Sequence, residues 1–238
     1  MKCLFFDTEM AASHRTYYRI CEFGYVITNE KFNVLSRGNI IINPNITLRE
    51  WDVYAKQEIL TRTVQEYESQ PTFLMVYDDI VNIFKDIDIV FGHTLDGDAR
   101  ALNDECIRYN LKSIDYDFYN INNIYLRYAN TQDNISLEKM LTIFGLSNEG
   151  KMHDAEADAY NTMQVLKSMV EQSQKSLEDF LNDYKDLADR TENLVIKSVK
   201  TRERQKKQYI EYKAEEQSST LGDRFASLFE KLEKELEK

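Results

Sequence analysis

The sequence predicts an α/β domain, in which helices pack in layers against one sheet. Two patterns support this: short β-branched and aromatic runs near the N-terminus are typical of strands, and from residue 71 onward apolar residues at helical spacing alternate with such runs. Composition is a third observation, because 7 glycines and 2 prolines in 238 residues are too few for a turn-dense sandwich or barrel. The length allows one core of about 150 to 200 residues plus an appendage.

Three strands are expected at the N-terminal end, joined by short connections. The first is the apolar run Cys3–Phe6, and the second covers Ile20–Thr28, which is rich in β-branched and aromatic residues. The third occupies residues 39–42 and stops at Asn43-Pro44-Asn45. Short connections favour an antiparallel meander, and Met10–Arg19 is expected to be a polar, aromatic loop.

Helices and strands are expected to alternate over the rest of the domain. Residues 46–87 are predicted to be mostly helical, ending in an amphipathic helix that begins at Pro71. A strand over Ile87–Phe91 follows, and then a helix to about Tyr109. The remaining predicted elements are a strand and helical turn between Ile114 and Tyr125, a short helix from Ser136 to Gly145 and a final core helix whose buried face includes Ala159 and Val170.

Cysteine and charge content narrow the class of protein. Three scattered cysteines fit reduced thiols in a cytosol better than a disulfide framework or a zinc site. The apolar N-terminal run is too short for a signal peptide, and no run of about 18 apolar residues occurs, so a cytoplasmic protein without a membrane span is predicted. A net charge of −11 is unusual for a nucleic-acid binder, although residues 197–207 hold six basic residues and one Glu.

The strand Cys3–Phe6 leads directly into two acids, Asp7 and Glu9. Side chains two positions apart on a strand share one face, so the two carboxylates are predicted to lie close together. Neighbouring carboxylates repel each other unless positive charge lies between them, and a divalent cation commonly supplies that charge. Taken alone, such a pair is more often an ordinary surface feature, and the rest of the chain has to decide.

A further acid is predicted at the start of the helix that follows Ile87–Phe91. Asp98 aligns at i+4 and i+8 with apolar Leu102 and Cys106, so its side chain is expected to face inward. Asp96 lies out of that phase and is expected to face outward. His93, at the strand end, is predicted to have a structural role.

The last polar cluster precedes the final core helix and contains His153 and Asp158. Five residues correspond to about 140° around a continuous helix, which would turn the two side chains away from each other. Both reach one site only if His153 lies in the loop before the helix begins. Asp154 and Glu156 are competing acids in the same stretch.

Three separated motifs therefore stand in order, Asp7-x-Glu9, Gly92-His93-x-x-x-x-Asp98 and His153-x-Ala155-x-x-Asp158-Ala159. This arrangement resembles the DnaQ-like 3′–5′ exonuclease family of the DEDDh type, which includes polymerase proofreading subunits and ribonuclease T. The resemblance covers residues 1–172. It implies a ribonuclease-H-like fold, a five-stranded mixed sheet flanked by helices.

The resemblance also implies a role for each matching residue. Asp7, Glu9, Asp98 and Asp158 would hold two divalent ions, Mg²⁺ or Mn²⁺, since hard oxygen ligands suit those ions. His153 would accept the proton of the attacking water. The family pattern alone favours Asp158 over Asp154 and Glu156. The implied reaction releases nucleoside 5′-monophosphates from single-stranded DNA or RNA 3′ ends.

A substrate-binding loop next to Glu9 is predicted from Thr8, Met10, Arg15, Tyr17, Tyr18 and Arg19. Tyrosines and arginines can stack on and clamp a single-stranded end whatever its bases, although the same residues equally suit an ordinary loop. Two departures from the family pattern concern substrate preference. Met10-Ala11-Ala12 replaces the usual Thr-Thr-Gly beside the terminal nucleotide, and Thr94 replaces a common Asn.

Residues 173–238 are predicted to be a charged helical extension. Leu177, Phe180, Tyr184, Leu187 and Leu194 recur at alternating three- and four-residue steps, the spacing of coiled coils, but the pattern weakens at Thr191 and Ser198. Two alternatives follow. The helices either fold back on the catalytic domain or form a homo-oligomer or protein-partner module, with residues 197–207 contacting a nucleic-acid backbone.

Three functions are compatible with these patterns. The first is a metal-dependent 3′–5′ exonuclease. The second is a non-catalytic or weakly active adaptor, such as a proofreading-type subunit that acts through its C-terminal helices. The third is an endonuclease on the same fold. The complete set of four acids and one histidine favours the exonuclease, because a scaffold has no need of those groups.

Overall fold

One mixed sheet forms the centre of the computed structural model, which describes residues 1–14, 17–52 and 60–192. Within these residues the sheet has six strands in the order β3-β2-β1-β4-β5-β6. β2 pairs antiparallel with β1 and β3, whereas β4 runs parallel to both β1 and β5. The strands are β1 Lys2–His14, β2 Tyr17–Asn29, β3 Val34–Ile41, β4 Ile89–Gly92, β5 Asp117–Asn120 and β6 Asp189–Arg190.

Helices cover the sheet and connect its parallel strands. They are α1 Val64–Glu68, α2 Phe73–Phe84, α3 Asp96–Arg108, α4 Ile121–Tyr128, α5 Leu137–Ile143, α6 Ala155–Ser173 and α7 Leu177–Asp183, followed by a 3₁₀ turn over Lys185–Leu187. Among the helices of the described ranges, none combines the length and the apolar character that crossing a membrane requires.

The alternation of side chains along β1 separates two cores. Cys3 and Phe5 pack with α4, α5 and α6, and the Phe5 ring stacks on Phe91 with centroids 5.0 Å apart. Leu4 and Phe6 point to the other face, toward α2 and α3. The strand is therefore buried on both faces, which explains the continuous apolar run that precedes Asp7.

The predicted α/β architecture is confirmed, with three differences in its elements. β6 is a sixth, two-residue strand that pairs antiparallel with β5. The described residues of the predicted loop, 10–14 and 17–19, belong to strands β1 and β2, because buried Ala11 and Ala12 extend β1 past its bulges. The described residues between 46 and 63 form turns rather than helix, because Ile46, Trp51 and Leu60 pack into a small separate cluster instead of along one helical face.

The residues that follow the predicted domain boundary at residue 172 contribute to the same hydrophobic core as the residues before it. Leu177 and Phe180 of α7 are buried with the residues of α6. These two side chains therefore pack on the domain, and the choice between the two alternatives for residues 173–238 stays a prediction. Leu194, the basic stretch 197–207 and the last predicted helix lie outside the described residues.

Candidate active site

Asp7 and Glu9 lie where β1 extends past its pairing with β4. The last matched pair in that parallel ladder is Phe5 with Phe91, so within the described ranges the next residues of β1 have no partner strand on that side. Their β2 partners are Gly24 for Asp7 and Glu22 for Glu9. By alternation both acids share the face of Phe5, which is the face that α6 covers.

The start of α6 brings His153 and Asp158 over this face. His153 has φ of +64° and precedes the helix, whose N-cap Asp154 accepts a hydrogen bond from the Ala157 amide at 3.2 Å. Asp158 Oδ2 accepts from the His153 backbone amide at 3.0 Å. The location predicted for His153, in the loop before the helix, is confirmed.

Glu9, His153 and Asp158 form the tightest part of the cluster. Ligand atoms of these three residues all lie within 4.8 Å of one another. The Nδ1 atom of His153 is 3.6 Å from Glu9 Oε1, and half of the histidine side chain remains exposed. An imidazole in this position can exchange protons with solvent while a carboxylate faces its ring.

Asp98 reaches the cluster from the opposite layer. It lies in the first turn of α3, is buried, and its Oδ1 accepts from both the backbone amide and the hydroxyl of Thr8, at 3.0 and 2.6 Å. Asp96 is exposed and accepts from the side-chain amide of Asn120 at 3.0 Å. The predicted inward and outward orientations of the two acids are therefore confirmed.

Burial and mutual repulsion raise the pKa values of the clustered acids. Burial is the largest cause at Asp7, whose pKa lies well above its usual range, and the nearby charges of Asp98, Glu9 and Asp158 raise it further. The pKa of Glu9 is raised to about 8, chiefly by burial and then by Asp158. Burial raises the pKa of Asp98 to about 6 against the two Thr8 hydrogen bonds, which lower it. The cluster therefore favours added positive charge.

The donor set fits a divalent cation. Asp158 Oδ1 is buried and has no hydrogen-bond partner among the described residues, although its other oxygen is bonded. A buried carboxylate oxygen without a partner is costly unless a donor or an ion completes it. Carboxylate oxygens are the ligands that Mg²⁺ and Mn²⁺ prefer.

The predicted substrate-binding residues occupy different environments. Both polar groups of Thr8 are bonded to Asp98, so its contacts support a role in holding that acid. Met10 is partly buried beside the start of α3. The Arg19 guanidinium lies 4.4 Å over the Tyr17 ring and donates to the Tyr18 carbonyl at 2.6 Å. Tyr18 donates its amide to Asp104, and Arg15 lies outside the described residues.

His93 has the structural role predicted for it. Its Nε2 is 3.1 Å from the carbonyl oxygen of Ile135, which joins the end of β4 to the segment before α5. Burial lowers the pKa of the ring, so the neutral form is favoured.

Sequence reasoning missed a buried polar group next to the site. Glu22, the cross-strand partner of Glu9, is fully buried and forms an ion pair with Arg62 at 2.7 Å. The available signal was a single acid inside the otherwise apolar run Ile20–Gly24. Arg62 carried no comparable signal, because it lies 40 residues away in a segment without periodicity.

Known proteins share this fold. The family model described as exonuclease, RNase T, matches residues 4–166. The nuclease domain of 3′hExo, a DEDDh family member solved with rAMP, superposes with a TM-score of 0.63 at 16% identity, over 72% of this chain and 92% of that one. Cell-death related nuclease 4 gives 0.61 at 14% identity, over 72% and 64%. Exonuclease I of E. coli, solved with a dA16 oligonucleotide, gives 0.58 at 17% identity, over 76% and 42%.

At these identities the solved structures show the fold, and they confirm the ribonuclease-H-like architecture. The chain spans less than half the length of exonuclease I. No curated protein sequence matches the chain. Because the family model covers more than half of its residues, the chain belongs to the RNase T family of exonucleases, and the DnaQ-like, DEDDh-type assignment drawn from its motifs is confirmed.

Proposed function

We propose that this nuclease is a 3′–5′ exonuclease that hydrolyses single-stranded DNA or RNA ends to nucleoside 5′-monophosphates, using two Mg²⁺ or Mn²⁺ ions. The observation that carries the proposal is the convergence of four carboxylates and His153 at one end of the sheet. They come from β1, from α3, and from α6 with the loop before it, which lie far apart in sequence. Most of these residues are held by a strand or by the first turn of a helix, so the arrangement does not depend on one flexible loop.

Asp7, Glu9, Asp98 and Asp158 would hold the two ions. Bound divalent ions would lower the pKa of water and stabilise charge on the phosphoryl oxygens. The competing acids are occupied elsewhere, which supports Asp158 as the ligand. Asp154 caps α6, and Glu156 pairs with Arg37 at 2.7 Å.

His153 acts as the general base in this proposal. It removes the proton from the attacking water, and Glu9, 3.6 Å from its Nδ1, stabilises the imidazolium that forms. The new bond joins the water oxygen to phosphorus, and the bond from phosphorus to the 3′ oxygen of the preceding nucleotide breaks. Half of the ring is exposed, which leaves a route for the proton to reach solvent.

Single-stranded ends are favoured as the substrate class by the related structures. The exonuclease I structure holds dA16, and the 3′hExo domain holds rAMP. One relative is thus seen with a deoxyribonucleotide and another with a ribonucleotide. The cleavage assay therefore uses both DNA and RNA as substrates.

The test is digestion of 5′-labelled single-stranded DNA and RNA with Mg²⁺ or Mn²⁺. We expect a ladder that shortens from the 3′ end and disappears with EDTA. Asp98→Asn and His153→Ala should each lower kcat by at least about 100-fold. Asp96→Asn is the matched control for Asp98, since Asp96 lies in the same helical turn but is exposed, and it should keep near-normal activity. Cleavage inside a circular substrate, or no cleavage by folded protein, would contradict the proposal.

A further inference from the structure

Glu22 and Arg62 form a polar network beside the carboxylate cluster of Asp7, Glu9, Asp98 and Asp158. Glu22 accepts from Arg62 Nη1 at 2.7 Å, from the Asn39 side-chain amide at 2.7 Å, from the Thr61 hydroxyl at 3.4 Å and from the Tyr67 hydroxyl. A fully buried carboxylate with this many donors is held in one orientation. Since Glu22 is the cross-strand partner of Glu9, the network lies next to a predicted metal ligand.

The same arginine also approaches the other side of the site. Arg62 Nη1 lies 3.9 Å from Asp154 Oδ2, and the second oxygen of Asp154 caps α6. His153 immediately precedes Asp154 and has a left-handed backbone conformation, with φ of +64°. A non-glycine residue keeps this conformation only when its surroundings hold it there.

The geometry points to Arg62 as a positioning residue, which together with Glu22 ties β2 to the first turn of α6 and so holds His153 beside Glu9. This inference rests on the proposed function, in which His153 is the general base. Arg62 acts through its neighbours and does not take part in proton transfer. The rival role is direct contact with a substrate phosphate, because the Arg62 side chain is 32% exposed.

The two roles differ in the kinetic constant that they affect. A misplaced general base lowers kcat with little change in KM, and displacements of about 1 Å can cost on the order of 100-fold. A lost phosphate contact raises KM instead, and it lowers the slope of log affinity against log salt by about one.

The experiment compares steady-state cleavage of a single-stranded oligonucleotide at several salt concentrations. Arg62→Met should lower kcat about 10-fold or more, with KM and its salt slope unchanged. Arg62→Lys should recover most of the loss, because one nitrogen makes both contacts in the wild type. Arg127→Met is the matched control, since Arg127 pairs with Asp186 on the surface and should leave kcat within about twofold.

Removal of Arg62 leaves the Glu22 carboxylate buried without its ion pair, and that alone would make Arg62→Met fold poorly. The double variant Glu22→Gln with Arg62→Met removes both charges and should fold, yet still show the fall in kcat. An unchanged kcat in the folded double variant would overturn the inference. A rise in KM with a smaller slope of log affinity against log salt would also overturn it, because that result would show that Arg62 contacts a substrate phosphate.

A second measurement does not depend on activity. The chain has 3 histidines, so the imidazole ¹H–¹³C signals of His153 and His93 can be assigned in metal-free protein. The double variant should shift the His153 signal and leave the His93 signal in place. An unmoved His153 signal would overturn the inference even if the wild type cleaves nucleic acid. Absence of cleavage by the wild type, with a shifted His153 signal, would instead contradict the proposed function alone.

Discussion

Two carboxyl groups at the cluster contribute to how the stability of the metal-free protein depends on pH. Glu9 and Asp98 have pKa values raised from 4.5 to about 8 and from 3.8 to about 6, with burial as the main cause. The fold therefore favours their neutral forms. Their contribution to stability is fully present below the unfolded values and is lost as pH rises through the folded ones.

We predict that the Tm measured in EDTA falls between about pH 4.5 and pH 8 because of these groups. Divalent ions bind the ionised carboxylates, so Mg²⁺ or Mn²⁺ should raise the Tm more at pH 8 than at pH 5.5. Differential scanning calorimetry across this range measures both effects. Glu9→Gln is the control and should flatten the upper part of the profile. A Tm in EDTA that rises steadily toward pH 8, or that added metal leaves unchanged, would contradict the raised pKa values.

At the scale of whole elements, the packing of β2 against α6 fixes the position of the loop that holds His153. Gly24, the β2 partner of Asp7, lies against the backbone at the start of α6. A Cβ atom there would lie 1.9 Å from the Ala155 carbonyl carbon and 2.1 Å from the Glu156 nitrogen. Backbone atoms cannot rotate away as a side chain can, so the helix itself would have to move.

We predict that Gly24→Ala displaces the start of α6, lowers the free energy of unfolding by about 1 to 3 kcal/mol and abolishes most cleavage. Denaturant unfolding and the cleavage assay measure the two effects. Gly38→Ala is the control, because the atoms nearest to its Cβ would belong to the Tyr25 side chain, at 3.2 to 3.3 Å, and a side chain can shift slightly. Equal behaviour of the two variants would contradict a rigid contact between β2 and α6.

Sequence analysis placed correctly those elements whose position follows from the spacing of residues close together in the chain. Alternation along β1 puts Asp7 and Glu9 on one face, and helical spacing separates Asp98 from Asp96 and requires a loop before α6. Residues that depend on contacts between distant segments could not be placed in this way. The described parts of the segment, 46–52 and 60–63, pack through single apolar residues. Arg62 becomes informative only when it lies against Glu22, 40 residues away.

At the scale of the whole molecule, the end of the catalytic unit is set by packing rather than by the motifs. The motifs and the family match end by residue 166, but one compact unit runs from Met1 to Val195. Phe180 is buried against α6 and its ring lies 6.4 Å from that of Tyr128. Thr191 exchanges hydrogen bonds with the backbone of Tyr116 just before β5, and both distances are 3.2 Å.

A chain that stops after residue 172 should therefore fold poorly, although it retains every predicted catalytic residue. Truncation exposes the apolar surface that Leu177, Phe180 and Leu181 cover, and losing one buried Phe or Leu side chain alone costs about 2 to 5 kcal/mol. The combined loss is comparable with the whole free energy of unfolding of a typical domain.

A chain that stops after residue 195 keeps these contacts and should unfold cooperatively with a kcat near that of the full chain. Circular dichroism melts and single-turnover cleavage compare the two chains. Stable folding of the shorter chain would show that the predicted boundary at residue 172 is the physical one, and loss of activity in the longer chain would assign a catalytic role to residues 196–238.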